Sequence, residues 1–168
     1  MSRHPHHDNP NPTAAEVRAH AAATRARKRA EAEAIGVDAA FISTFVDRFY
    51  GRIRDDALLG PIFAERIGDW NAHLARMKAF WRSILHNSGE FSGDPMAKHL
   101  AISGLEERHF GHWLELFYAT LRELEHDGEA TRLVGGRARM IADSLLTGIA
   151  MRDEGLAASR AGDKLPHV

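Results

Sequence analysis

The 168-residue chain contains no cysteine. That excludes disulfides, thiolate metal centres, iron–sulfur clusters and cysteine nucleophiles together, and it agrees with a reducing compartment. Long apolar runs are missing as well: no stretch nears the roughly 20 residues that span a bilayer. The N-terminus lacks the apolar segment of a secretory signal, so a cytoplasmic protein without membrane insertion is expected. Sustained period-2 alternation is absent, and β-branched residues stand singly among Ala, Leu, Arg and Glu, which removes the signature of strands. No internal repeat at solenoid spacing is present. Net charge is low too, −1 with His neutral, which excludes a globally basic polyanion binder; no nucleic-acid partner is expected.

What is present is a globular mixture, 44% hydrophobic and 27% charged, rich enough in apolar side chains to exclude wholesale disorder. Residues 1–12 are Pro, His, Asn and Asp in the main and cannot bury a core. Thr13 and Glu16 form a capping-box pattern that opens a helix to about Ala34. Val17 is the only large aliphatic residue of that helix, so a solvated element is predicted. The first 30 residues hold six Arg and Lys against two acids. The run at Arg25, Arg27, Lys28 and Arg29 reads as a solvated face in preference to a nucleic-acid or membrane-surface patch. The expected division is a polar extension over 1–36, a compact domain over 37–153 and a polar tail over 154–168.

Within the compact part, Asp38 is a candidate N-cap, followed by Ile42, Phe45, Val46, Phe49 and Ile53 at helical spacing. The pattern breaks at Gly60-Pro61, with Ile62 and Phe63 in a short connection. Asp69 caps the helix with the clearest apolar stripe: Trp70, His73, Leu74, Met77, Phe80, Trp81 and Ile84. After a loop from Asn87 to Ser92, Asp94 and Pro95 start a brief helix with Met96, His99 and Leu100, stopped by Gly104. Ser103 and Glu106 suggest a second capping box, opening a helix with Phe110, Trp113, Leu114, Phe117, Leu121 and Leu124 inward. A last helix runs from Asp127-Gly128 to about Met151 through Leu133, Met140, Ile141, Leu145 and Ile149. The fold is expected to be all-α.

The chain carries 11 histidines, of which two lie in apolar faces. His73 sits in the middle of the best stripe, and His99 is flanked by Met96 and Leu100. A buried imidazole without a partner costs about 1–3 kcal/mol, so each needs a reason to be there. Taken singly, each reads as a core histidine bonded to a carbonyl. Taken together, they read as the two sides of a slot for a flat cofactor. Phe45, Phe63, Phe80, Trp81, Trp113 and Phe117 either wall that slot or form ordinary core. His86 follows His73 by 13 residues, which at about 100° per residue puts it on the opposite, solvent side. His112 lies off the Phe110/Trp113/Phe117 stripe and is expected to be exposed.

Two Glu-x-x-His patterns, Glu106/His109 and Glu123/His126, have the form found in dimetal carboxylate bundles. Both fall on one helix, roughly 25 Å apart, so they cannot share a centre within the chain. If the initiator Met is removed, the Ser2-Arg3-His4 terminus offers an amine, two amides and an imidazole to Cu(II) or Ni(II), with His6, His7 and Asp8 nearby.

The segment from Phe45 to Phe63 (FVDRFYGRIRDDALLGPIF), then Trp70-Asn71-Ala72-His73, Phe80-Trp81, Lys98-His99-Leu100 and Trp113-Leu-Glu-Leu-Phe117, resembles the truncated haemoglobins of group III. The likeness spans residues 38–152, about two-thirds of the chain. It implies a globin-like 2-on-2 helical sandwich that holds haem b (iron protoporphyrin IX). His99 matches the proximal histidine, whose one ring nitrogen binds iron while the other donates to a backbone carbonyl. Tyr50, His73 and Trp113 match the distal residues that stabilise a ligand. Phe63 matches the phenylalanine on the haem face, Met77, Phe80, Trp81, Met96 and Phe117 belong to the pocket, and Arg76 reaches a haem carboxylate.

On this resemblance the ligands are O2, NO and CO, or peroxide, with electrons from an unidentified donor. The chemistry is NO dioxygenase-like or peroxidase-like turnover, or sensing, in preference to O2 transport. The competing reading is a haem-free helical interaction module in which His73 and His99 are core residues. The first 36 residues resemble nothing in that family.

Overall fold

The computed structural model describes residues 11–125, 127–155 and 160–168. Among them are seven helices and no strand: α1 Ala14–Ala34, α2 Ala39–Asp55, α3 Gly60–Ala64, α4 Trp70–His86, α5 Pro95–Leu100, α6 Glu107–Glu125 and α7 Glu129–Glu154. Four starts are fixed by side-chain caps. Thr13 and Glu16 close a reciprocal capping box, and Asp38, Asp69 and Asp94 accept from the backbone N–H of Phe41, Ala72 and Ala97. These acceptors satisfy donors that the first helical turn leaves unpaired. Gly104, at φ +77°, supplies the left-handed turn between α5 and α6 that a side chain would resist.

α2 packs against both α4 and α6, and α6 packs along α7. The α2 stripe meets the α6 stripe through rings: Phe45 lies 4.6 Å from Phe117, and Phe49 5.0 Å from it, both edge-on. Phe45, Phe49, Phe117, Leu114 and Leu121 are closed to solvent. This aromatic centre is the rigid floor on which the site is built. α3 folds back on α2 so tightly that a Cβ on Gly60 would lie 2.8 Å from the Arg54 carbonyl.

Several expectations change. α1 is not wholly solvated: Val17 is exposed, but the C-terminal end docks on α4 and buries Ala32. His86 is buried, not solvent-facing, and its Nε2–H donates to the Val37 carbonyl at 2.7 Å. The α1–α2 corner covers the face that the helical wheel marked as open. Met140 is 59% exposed, because the inward face of α7 is carried by Val134, Ala138, Ala142, Leu146 and Ile149. α6 starts at Glu107 without a Ser103 box; the backbone N–H of Glu106 donates instead to Nδ1 of His109. Ile62 and Phe63, expected in a short connection, lie on the short helix α3.

The end of the chain is also built in. Leu165 is buried, Tyr118 donates to the Pro166 carbonyl at 2.8 Å, and Arg139 reaches the Leu165 carbonyl. Val168 sits where α7 has Gly135, whose Cβ would come within 2.5 Å of it. The polar tail therefore seals α6 against α7. The candidate terminal copper ligands from Ser2, Arg3 and His4 to His6, His7 and Asp8, and His126 of the second Glu-x-x-His pattern, lie outside the described residues.

Candidate functional site

Between these helices lies a cavity of about 520 Å³ with a mostly apolar lining, within the range of sites that enclose an organic cofactor. It explains an oddity of α4. The clearest apolar stripe in the sequence is only half-buried at His73, Leu74, Met77 and Phe80, because much of that face looks into the cavity.

The structure brings most of the sequence-predicted site residues together. Tyr50 from α2, Phe63 from α3, and His73, Arg76, Met77, Phe80 and Trp81 from α4 line the cavity. His99 from α5 and Trp113 from α6 complete the set. Two residues are not brought there. Phe117 stands behind Trp113, 5.0 Å away ring to ring and closed to solvent. Met96 turns to α7, where its Sδ occupies the notch that Gly148 leaves open. Sequence reading missed Phe91, Lys98 and above all His109, which also line the cavity. The signal for His109 was available: it precedes Trp113 by one helical turn and so shares its face.

The inward histidines differ in how they are held. His99 Nδ1 lies 2.7 Å from the Pro95 carbonyl oxygen. A carbonyl only accepts, so Nδ1 carries the proton and Nε2 keeps its lone pair. His73 has ring neighbours on three sides: Tyr50 at 5.1 Å, Trp70 at 5.7 Å and Phe63 at 6.4 Å, all edge-on. Its Nε2 is buried without a hydrogen-bond partner. Trp70 is in turn covered by the Arg54 guanidinium at 4.5 Å. Burial, with the Arg76 charge adding to it, lowers the His73 pKa, so the ring is neutral near pH 7. Burial raises the Tyr50 pKa and keeps the phenol protonated.

No protein-family profile matches the chain. A curated group 3 truncated hemoglobin of Campylobacter jejuni is 34% identical over 105 residues, 60% of this chain and 82% of the relative. The chain belongs to the group III truncated haemoglobins. The crystal structure of a group III truncated hemoglobin from Campylobacter jejuni superposes with a TM-score of 0.63 at 31% identity, over 67% of this chain and 91% of that one. The helical arrangement is thus the globin-like fold of the truncated haemoglobins.

Truncated haemoglobins bind haem, and the residues of this chain fit such a group. An apolar cavity, an imidazole with a free nitrogen and a second imidazole with an orphaned buried one are what a flat metal cofactor requires. Among the described residues no helix is long and apolar enough to cross a membrane.

Behind the cavity wall of this truncated haemoglobin runs a charged clasp. His112, expected to be exposed, is half-buried and donates from Nε2 to Asp56 Oδ2 at 2.6 Å. The other Asp56 oxygen accepts from the backbone of Leu58 and Leu59, so the clasp ties α6 to the α2–α3 corner next to Trp113. The hydrogen bond to Asp56 raises the His112 pKa against the effect of burial. Burial pushes the Asp56 carboxyl up, but its bonds to His112, Leu59 and Leu58 outweigh that and hold it down.

The raised His112 contributes fully below its unfolded value of about 6.5 and is lost as pH rises through the folded value. The lowered Asp56 contributes above about 3.9 and is lost as pH falls through the folded value. Wild-type protein should therefore exceed His112→Ala in stability most between about pH 4 and 6.5, by no more than about 1 kcal/mol. Urea denaturation of both proteins across this range and up to about pH 9 measures it; a gap that widens with alkali would contradict the clasp.

Proposed function

We propose that this chain holds haem b through His99 and binds O2, NO and CO beside Tyr50, His73 and Trp113, for ligand or redox chemistry or sensing more than for O2 transport. The observation that carries the reading is the Nδ1–H bond of His99 to Pro95. It leaves the Nε2 lone pair of a residue that lines an apolar cavity available to a metal, the arrangement in which a ligating histidine is held. When bound, haem would supply an iron centre able to take up a small ligand.

The chain's own groups do the rest. The Tyr50 phenol stays protonated because burial opposes its ionisation, so it remains a hydrogen-bond donor. The Trp113 indole N–H can only donate. His73, kept neutral by burial and by Arg76, either donates or accepts at the nitrogen that protein leaves unpaired. Three such groups retain a ligand that carries partial negative charge and slow its departure, which suits chemistry or sensing better than delivery. Arg76 and Lys98, both exposed on the cavity lining, meet the carboxylates of the cofactor. Redox turnover of NO or peroxide draws electrons from a separate donor.

The test is an absorption spectrum of the purified, reduced protein with and without CO. An intense Soret band that shifts on adding CO is expected; a colourless protein with full helicity overturns the reading in favour of an interaction module.

A further inference from the structure

The cavity contains a third imidazole, and its hydrogen bonding is the reverse of that of His99. His109 Nδ1 accepts from the Glu106 backbone N–H at 3.0 Å. An accepting nitrogen carries no proton, so the neutral ring bears its proton on Nε2. A ring fixed in this way cannot ligate a metal, since one lone pair is already used and the other nitrogen is protonated. It can only donate. His109 is 6% exposed and lines the cavity, yet no described residue accepts from its Nε2. Ile102, Leu105 and Phe110, which also line the cavity, are hydrocarbon. His109 Nε2 is not among the sealed, unpartnered atoms, so it is open to an acceptor on what fills the cavity.

The periphery of a tetrapyrrole is hydrocarbon apart from its carboxylates. We propose that His109 is a further haem-contact residue, donating Nε2–H to one of those carboxylates; this rests on the haem reading above. The same ring thereby caps the start of α6 through one nitrogen and holds the cofactor's edge through the other. Arg76 and Lys98 offer exposed charge for this purpose, whereas His109 offers a donor on a mostly buried ring of fixed orientation.

The test compares haem with its dimethyl ester, in which both carboxylates are masked, in wild type and His109→Leu holoprotein. Cofactor loss to an excess of a haem-scavenging apoprotein is followed at the Soret band. With haem, the variant should lose cofactor about ten-fold faster than wild type. With the diester, the two proteins should agree. Equal acceleration with both cofactors, or none with either, would overturn the proposal.

His109→Leu also removes the α6 cap, so a second arm needs no substitution. Ring-nitrogen NMR of the CO-bound ferrous wild type should show His109 as Nε2–H, with a resonance that moves when the diester replaces haem. A proton on Nδ1, or an unmoved resonance, sinks it. Failure of wild type to retain either cofactor would instead remove the haem reading itself.

Discussion

His99→Gly should strip the protein of haem, and added imidazole should restore it. Second-sphere partners of a ligating histidine are worth about 10–100-fold in metal affinity, so loss of the ligand itself should exceed about 100-fold. The effect should come with little loss of fold. His99 is half-buried on a helix with no buried residue, so the substitution opens no cavity in the aromatic centre. Pigment content after purification, helicity by circular dichroism, and the Soret band with and without imidazole separate a lost ligand from a lost fold. Normal pigment content in the variant would refute the assignment of His99.

The second large effect lies at Tyr50. Replacement by Phe keeps the ring packing against Phe49 at 5.1 Å and Phe63 at 6.0 Å while deleting the hydroxyl. If that hydroxyl donates to the ligand, O2 should leave about ten-fold faster from the variant, with CO release changed far less because bound CO is the weaker acceptor. Stopped-flow displacement of O2 by CO gives the rate. An unchanged O2 off-rate would remove Tyr50 from ligand stabilisation and leave His73 and Trp113 to carry it. The contrast between O2 and CO guards against a change in access, which would speed both.

How far the sequence foretold this depends on whether a signal is local. The caps at Asp38, Asp69 and Asp94 need only a side chain and the next turn of backbone, and each is where its spacing indicates. The α2 stripe is equally legible, since its large residues at helical intervals are the ones buried. Reading by size fails on α7, where Ala138 and Ala142 face inward and Met140 faces out. A helical wheel gives direction but not what lies beyond it: Val37, 49 residues away in the chain, supplies the carbonyl that His86 meets.

The site shows the same division. The spacing that sets His73 and His99 in apolar faces puts both on the cavity. Depth is another matter: Phe117 shares a stripe with Trp113 yet stands one layer behind it, and a stripe carries no information about layers. The Glu-x-x-His pattern points His109 towards metal chemistry, whereas the Glu106 backbone N–H already occupies one of its nitrogens.

α5 has six residues, none of them buried. A segment that short has no intrinsic tendency to stay coiled in water. It is moored on α7 chiefly by Met96 in the Gly148 notch and by Arg152 at the Leu100 carbonyl. A cofactor held through His99 would therefore depend on how firmly that turn is settled. Changes at these moorings, on the far side of the turn from the guest, would tune how firmly it is kept without touching it.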